Sequence, residues 1–201
     1  MFIKVCGIKN LESAKAAAKA GADFLGFNFV PSSRRCVTEG KAKEIIAALG
    51  EPRPRLVGVF EDQPIAFVNE TAQRLDLDFV QLHGDESPEY CAFINRPVIK
   101  AFSVESDFDP GALMKTMAPY RAHYFMLDRK GRIGEPLNFK KVAVVAEEFS
   151  VMLAGGLTPE NVREAVREAG RIDAVDVAGG VETNGEKDPH KIQAFIRKAK
   201  A

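Results

Sequence analysis

The chain has 201 residues, and its 28 basic and 28 acidic side chains leave a formal net charge of +0. A neutral chain of this length fits one domain and argues against proteins that need a basic face to bind nucleic acid or a membrane surface. Hydrophobic residues make up 46% and charged residues 28%, which is typical of a folded globular protein and not of a disordered one.

The cysteines and the first residues indicate the cellular compartment. The chain has an odd number of cysteines, Cys6, Cys36 and Cys91, and no two of them have CxxC spacing. We therefore expect free thiols in a reducing cytoplasm, not disulfides or a zinc site. The three histidines are scattered, and their spacing predicts no metal cluster. We find no secretory leader and no apolar run of the roughly 20 residues that span a bilayer. These features predict a cytoplasmic protein.

Eight short apolar or β-branched runs recur along the chain at intervals of about 24 residues, which is close to the smallest unit of one strand, one helix and two short loops. We predict strands at Phe2–Cys6, Asp23–Phe29, Arg55–Phe60, Asp78–His83, Pro97–Phe102, His123–Asp128, Phe149–Ala154 and Ile172–Ala178.

Helical patterns separate these runs. Leu11–Ala20 and Lys41–Leu49 are each followed by a glycine that can cap a helix C-terminus. Thr158-Pro159-Glu160 predicts a helix start with an N-cap hydroxyl and a first-turn proline, and Asp188-Pro189 predicts another.

Strands that alternate with helices predict a parallel sheet, either open and doubly wound or closed into a barrel. Eight nearly equal units favour closure, and a (β/α)8 barrel can be as short as about 200 residues. We therefore predict an α/β fold, a minimal TIM barrel, with residues 1–201 as a single domain.

The chemistry of such a barrel lies where its strands end at the C-terminal face. The tripeptide Ala-Gly-Gly follows both the seventh and the eighth predicted strand, as Ala154-Gly155-Gly156 and Ala178-Gly179-Gly180. Glycine loops allow backbone amides to approach an anion closely, so these four glycines are candidates for phosphate binding. The alternative is that they only permit tight turns.

Four further strand-end residues can carry chemistry. Cys6 and Asp128 form a candidate acid–base pair, because a thiolate can accept a proton and a carboxylic acid can donate one. Cys6 could instead be an inert buried thiol, and Asp128 a helix cap or salt-bridge partner. Arg35 could bind a substrate carboxylate bidentately, whereas its neighbour Arg34 fits a solvated charge. His83 fits a hydrogen-bonded structural histidine, with a minor substrate role left open.

Seven motifs in order and spacing resemble the phosphoribosylanthranilate isomerase family of tryptophan biosynthesis over essentially the whole chain. They are Lys4-Val5-Cys6-Gly7-Ile8, Gly21-Ala22-Asp23-Phe24-Leu25-Gly26-Phe27, Val57-Gly58-Val59-Phe60, Val80-Gln81-Leu82-His83-Gly84-Asp85-Glu86, Leu127-Asp128, Leu153-Ala154-Gly155-Gly156-Leu157-Thr158-Pro159-Glu160-Asn161-Val162 and Asp176-Val177-Ala178-Gly179-Gly180-Val181-Glu182.

The resemblance implies an Amadori rearrangement of N-(5'-phosphoribosyl)anthranilate to 1-(2-carboxyphenylamino)-1-deoxyribulose 5-phosphate. It implies that Asp128 is the general acid, that Cys6 is the general base, and that Arg35 holds the anthranilate carboxylate. It places Asp176 near the sugar and assigns phosphate binding to backbone amides at Gly155, Gly156, Gly179 and Gly180. No metal or organic cofactor is implied, and the expected partner is a small phosphorylated substrate, bound by a monomer or a homodimer.

The chain departs from the commoner family pattern in three loops. Residues 131–139 replace a glycine-rich loop that the family often carries after its sixth strand. Ala178-Gly179-Gly180 stands where Ser-Ser-Gly is commoner, so hydroxyls that could bond phosphate are absent. Arg34-Arg35-Cys36 stands in place of proline-arginine-tyrosine.

Two other functions fit part of the same pattern. The sister isomerase of histidine biosynthesis performs the same rearrangement on a substrate with two phosphates, but it uses an aspartate at the position of Cys6. A non-catalytic barrel that binds a phosphate metabolite or a partner subunit would require neither Cys6 nor Asp128.

Overall fold

The computed structural model describes residues 1–129 and 137–201, and its centre is a closed barrel of eight parallel strands. The strands are β1 (Phe2–Cys6), β2 (Phe24–Asn28), β3 (Arg55–Phe60), β4 (Phe79–Leu82), β5 (Val98–Ser103), β6 (Tyr124–Asp128), β7 (Val151–Leu153) and β8 (Ala174–Val177). Each strand pairs with its neighbours in sequence, and β8 pairs with β1, with Lys4 opposite Asp176. This confirms the predicted (β/α)8 barrel and excludes the open sheet.

One helix follows each strand. The helices are α1 (Leu11–Ala20), α2 (Glu39–Leu49), α3 (Ile65–Arg74), α4 (Pro88–Ala92), α5 (Pro110–Met117), α6 (Phe139–Ala146), α7 (Val162–Ala169) and α8 (Pro189–Ala199). Helix α1 has the predicted bounds and ends at Gly21 with φ of 91°, a left-handed conformation that glycine adopts at low cost. Helix α8 begins at Pro189 with Asp188 as its N-cap, as predicted.

The predicted start of α7 is wrong. The helix begins at Val162, and Thr158, Pro159 and Glu160 precede it in a turn. The side chain of Asn161 accounts for the difference, because its Oδ1 accepts from Thr158 N at 2.8 Å and its Nδ2 donates to Gly156 O at 2.9 Å. Local side-chain bonds of this kind compete with helical ones.

A small feature after β8 was not predicted. Gly179–Val181 form a 3₁₀ turn, and β9 (Glu182–Thr183) and β10 (Glu186–Lys187) form an antiparallel hairpin. Asn184 and Gly185 connect them with φ of 53° and 81°. An Asn-Gly pair is a strong hairpin signal, so the sequence does contain the information.

Apolar side chains fill two regions. One cluster lies inside the barrel, and a larger one lies between the strands and the helices. Within the described ranges, no helix combines the length and apolarity that a membrane span requires. The loop residues 131–136, where the chain departs from the family pattern, lie outside the described residues.

Candidate active site at the barrel mouth

Alternation along the strands determines which side chains face the barrel axis. Phe24, Phe79, Tyr124 and Ala174 belong to the interior cluster. Successive side chains of a strand point to opposite faces, so the residues two or four positions further along point inward above that cluster. This rule places polar or small residues in the upper interior: Gly26 on β2, Gln81 and His83 on and after β4, Asp128 on β6 and Asp176 on β8.

Cys6 ends β1 at this mouth and is buried, with 9% of its surface exposed. Its partner across the β1–β2 pairing is Gly26, and a Cβ at Gly26 would lie 2.8 Å from Sγ of Cys6 and 3.2 Å from Nζ of Lys4. Only glycine therefore leaves room at this position for both side chains.

Lys4 lies one inward position below Cys6 and is fully buried. Its Nζ donates to Oδ1 of Asp176 at 2.9 Å. Burial alone would lower the pKa of Lys4, but the negative charge of Asp176, together with that of Cys6 whenever its thiol is ionised, outweighs burial and raises that pKa above its ordinary value. Lys4 is therefore a permanent cation beneath the thiol.

The surroundings of Cys6 shift the pKa of its thiol in opposite directions. Burial raises the pKa of its thiol, Lys4 opposes the rise, and Asp176 adds to it. The net direction is upward, so the thiol form predominates at neutral pH and the thiolate forms in alkaline solution.

Asp128 ends β6 at the same mouth, with 23% of its side chain exposed. Nε2 of His83 lies 3.1 Å from its Oδ2, and Nδ1 of His83 lies 2.8 Å from Nε2 of Gln81. His83, predicted as a structural histidine with a possible minor role, is thus in direct contact with the candidate acid.

Arg35 reaches the mouth from the loop after β2. Its Nε donates to Oε1 of Glu182 at 2.6 Å and its terminal Nη2 to Oε2 at 2.9 Å. Arg34 also contacts Glu182, but 62% of its side chain is exposed, as expected for a solvated charge. The third cation on Glu182 is Lys187, whose Nζ lies 2.7 Å from Oε1.

The four candidate phosphate-binding glycines lie in the loops after β7 and β8. Gly155 and Gly156 have φ of 79° and 68°, which a side chain would strain. Gly180 packs on the backbone of Leu157, so the two loops are in contact and a Cβ at Gly180 would clash. A Cβ at Gly155 would lie 2.9 Å from Oδ1 of Asp128, so this loop also borders the candidate acid.

The mouth thus brings Cys6, Asp128, Arg35, Asp176 and the glycine loops to one end of the barrel. Sequence reasoning missed Lys4, Gln81, Glu182 and Lys187. The alternation rule could have found Lys4 and Gln81, because each lies at an inward position of an apolar strand, where a buried polar side chain requires a partner. Among the described residues, no three His, Cys, Asp or Glu side chains are grouped as metal ligands.

The chain is similar to known proteins over nearly its whole length. Residues 3–198 match the family model described as N-(5'phosphoribosyl)anthranilate (PRA) isomerase. A relative of that name from Geobacter metallireducens is 50% identical over 207 residues, which cover 99% of this chain and 98% of the relative.

Solved structures show the same similarity. A phosphoribosyl anthranilate isomerase in complex with reduced 1-(o-carboxyphenylamino)-1-deoxyribulose 5-phosphate is 35% identical, with a TM-score of 0.87 and coverage of 100% of this chain and 98% of that one. Monomers generated from the dimeric enzyme of Thermotoga maritima are 36% identical, with the same TM-score and coverage.

Proposed function

The chain belongs to the N-(5'-phosphoribosyl)anthranilate isomerase family, and from this premise we propose that Cys6 and Asp128 catalyse the Amadori rearrangement of that substrate. The product is 1-(2-carboxyphenylamino)-1-deoxyribulose 5-phosphate, an intermediate of tryptophan biosynthesis. The observation that carries the proposal is that Cys6 and Asp128 end β1 and β6 at the same mouth of a closed barrel.

The acid step opens the sugar. A proton on Asp128 passes to the ribose ring oxygen, the C1'–O bond breaks, and the anthranilate nitrogen supplies the electron pair of a Schiff base. His83 supports this step, because its ring can hold Oδ2 of Asp128 while Oδ1 remains for the substrate.

The base step forms the new carbonyl group. The thiolate of Cys6 takes the proton from C2', and the electron pair moves to neutralise the Schiff base as an enolamine. Tautomerisation then gives the ketone. The ammonium group of Lys4 lies beneath Cys6 and stabilises the negative charge of the thiolate.

The remaining contacts hold the two anionic ends of the substrate. Arg35 takes the anthranilate carboxylate with the donors that Glu182 leaves unused, since a guanidinium has five N–H groups. Backbone amides at Gly155, Gly156, Gly179 and Gly180 take the phosphate. Asp176, held by Lys4 at 2.9 Å, faces the sugar.

We also propose that residues 1–201 act as one TIM-barrel domain, in the cytoplasm and as a monomer or homodimer. The expected partner is the small phosphorylated substrate, not nucleic acid or membrane. The neutral net charge supports this, and size-exclusion chromatography with light scattering distinguishes the two oligomeric states.

The decisive experiment is a coupled assay. Phosphoribosylanthranilate is generated from anthranilate and phosphoribosyl pyrophosphate by the preceding enzyme, and substrate fluorescence is followed after this protein is added. We expect a loss of fluorescence whose rate depends on the protein concentration and is about 10²- to 10⁴-fold slower with the Cys6→Ala variant. An unchanged signal with the wild-type protein would overturn the function.

A further inference from the structure

Glu182 is a buried carboxylate that connects the two ends of the site. Only 6% of its side chain is exposed, and four donor groups from Arg34, Arg35 and Lys187 converge on its two oxygens. Burial alone would raise the pKa of Glu182, but these cations outweigh it and lower the pKa to about 2. The carboxylate is therefore ionised at any physiological pH.

On one side, Glu182 fixes the plane of Arg35. The two hydrogen bonds, at 2.6 and 2.9 Å, use Nε and one terminal nitrogen, so the guanidinium cannot rotate about its stem. The stem passes over Gly7, where any Cβ would collide with it. The donors on the other edge of the guanidinium are consequently held in one direction.

On the other side, Glu182 orients the loop after β8 through Lys187. The Nζ of Lys187 donates to Glu182 at 2.7 Å and to the carbonyl of Ala178 at 2.9 Å, and 2% of the lysine side chain is exposed. The carbonyl of Ala178 and the N–H of Gly179 belong to one planar trans peptide and point in opposite directions. Holding that carbonyl therefore directs the N–H of Gly179 away from Lys187.

We propose, on the basis of the function given above, that Glu182 is a positioning residue that preorganises both ends of the substrate site at once. Through Arg35 it sets the direction of carboxylate recognition, and through Lys187 it sets the direction of an amide in the phosphate loop. Glu182 contacts both Arg35 and Lys187, so it links the two ends and lets one substrate meet both in the correct relative geometry.

The test uses two fragments of the substrate as probes. Anthranilate carries the carboxylate without phosphate, and ribose 5-phosphate carries the phosphate without the aromatic acid. Their affinities are measured by ligand-observed NMR, which does not depend on turnover. We expect Arg35→Ala to weaken anthranilate alone and Lys187→Met to weaken ribose 5-phosphate alone. Glu182→Gln should weaken both by about tenfold or more.

Controls separate positioning from a general loss of structure. Lys191→Met removes a neighbouring lysine whose Nζ donates to the backbone carbonyl of Glu182 and not to its carboxylate, and it should leave both affinities within about twofold. If Glu182→Gln does not fold, the variant Glu182→Gln/Lys187→Met removes one charge of each sign and should still weaken anthranilate binding. In turnover assays of Glu182→Gln, KM should rise more than kcat falls.

Three outcomes would overturn the proposal. They are unchanged affinities in Glu182→Gln, weakening of one fragment only, and tighter binding of anthranilate, which would mean that Glu182 competes with the ligand for Arg35. A wild-type protein that binds both fragments without converting phosphoribosylanthranilate would instead overturn the proposed function.

Discussion

Nε2 of His83 lies 3.1 Å from Oδ2 of Asp128, and the amide nitrogen of Gln81 lies 2.8 Å from the other ring nitrogen of the same histidine. Because the amide donates to Nδ1, the neutral ring carries its proton on Nε2, which faces the carboxylate. The other tautomer would place two acceptors against each other. Gln81 and His83 therefore hold the carboxyl group of Asp128 through its Oδ2.

The contact between His83 and Asp128 predicts that two substitutions of His83 reduce kcat to different extents. His83→Gln retains an N–H group near the position of Nε2, whereas His83→Leu removes it at similar volume. We expect kcat to fall by about 10- to 100-fold in His83→Leu and by much less in His83→Gln, because a hydrogen bond to a charged group is worth about 1.5–3 kcal/mol. Steady-state kinetics measure both, and equal losses in the two variants would refute an orienting role.

The proposed acid and base predict losses of turnover with retained fold. Cys6→Ala and Asp128→Asn should each reduce kcat by about 10²- to 10⁴-fold, the usual contribution of one general acid or base. Ligand-observed NMR should show that anthranilate still binds, since neither residue is proposed to hold the carboxylate. Either variant with a nearly wild-type rate would remove that residue from the mechanism.

The raised pKa of Cys6 predicts that its reactivity as a thiolate rises with pH. The base must be a thiolate, and the thiolate population grows as pH increases toward and above the raised pKa. We therefore expect the alkylation rate of Cys6 by iodoacetamide to increase from pH 7 to pH 9. The alkylation rate by iodoacetamide reports the thiolate directly, with Cys6→Ala to subtract the reaction of Cys36 and Cys91. An alkylation rate that is already maximal at pH 7 would contradict the raised pKa.

Glu182 predicts a loss of stability in acid. Its pKa is about 2 in the folded protein and near 4.5 in the unfolded chain, so its contribution is complete above about pH 4.5 and disappears as pH falls toward 2. The contribution is about 3 kcal/mol by linkage. Urea unfolding of wild type and Glu182→Gln should differ at pH 6, and the difference should shrink steadily as pH falls from 4.5 toward 2. A constant difference across this range would show that Glu182 does not titrate with folding.

The sequence was sufficient to predict the strands and where they end, because these features depend on short runs of neighbouring residues. Hydrophobic runs predicted all eight strands to within two residues at every end, and strand ends predicted where Cys6 and Asp128 would lie. The start of α7 was misplaced because the side chain of Asn161 competes for the backbone, which no periodicity reveals.

The pairings within the site are the part that local patterns could not supply. Lys4 meets Asp176 across 172 positions, and Arg35 meets Glu182 across 147. Such contacts depend on which strands become neighbours when the barrel closes. Burial of an unpaired charge is costly, so the sequence does indicate that Lys4 requires a partner, but not which one.

The pairing of β8 with β1 has a consequence for how the protein is made. Lys4 is synthesised early and its counter-ion Asp176 late, so a nascent chain that stops after β7 contains the lysine without the carboxylate. Folding the first strands into a partial barrel would then bury an uncompensated ammonium group. The last strand therefore supplies both the pairing that closes the barrel and the counter-ion that neutralises Lys4.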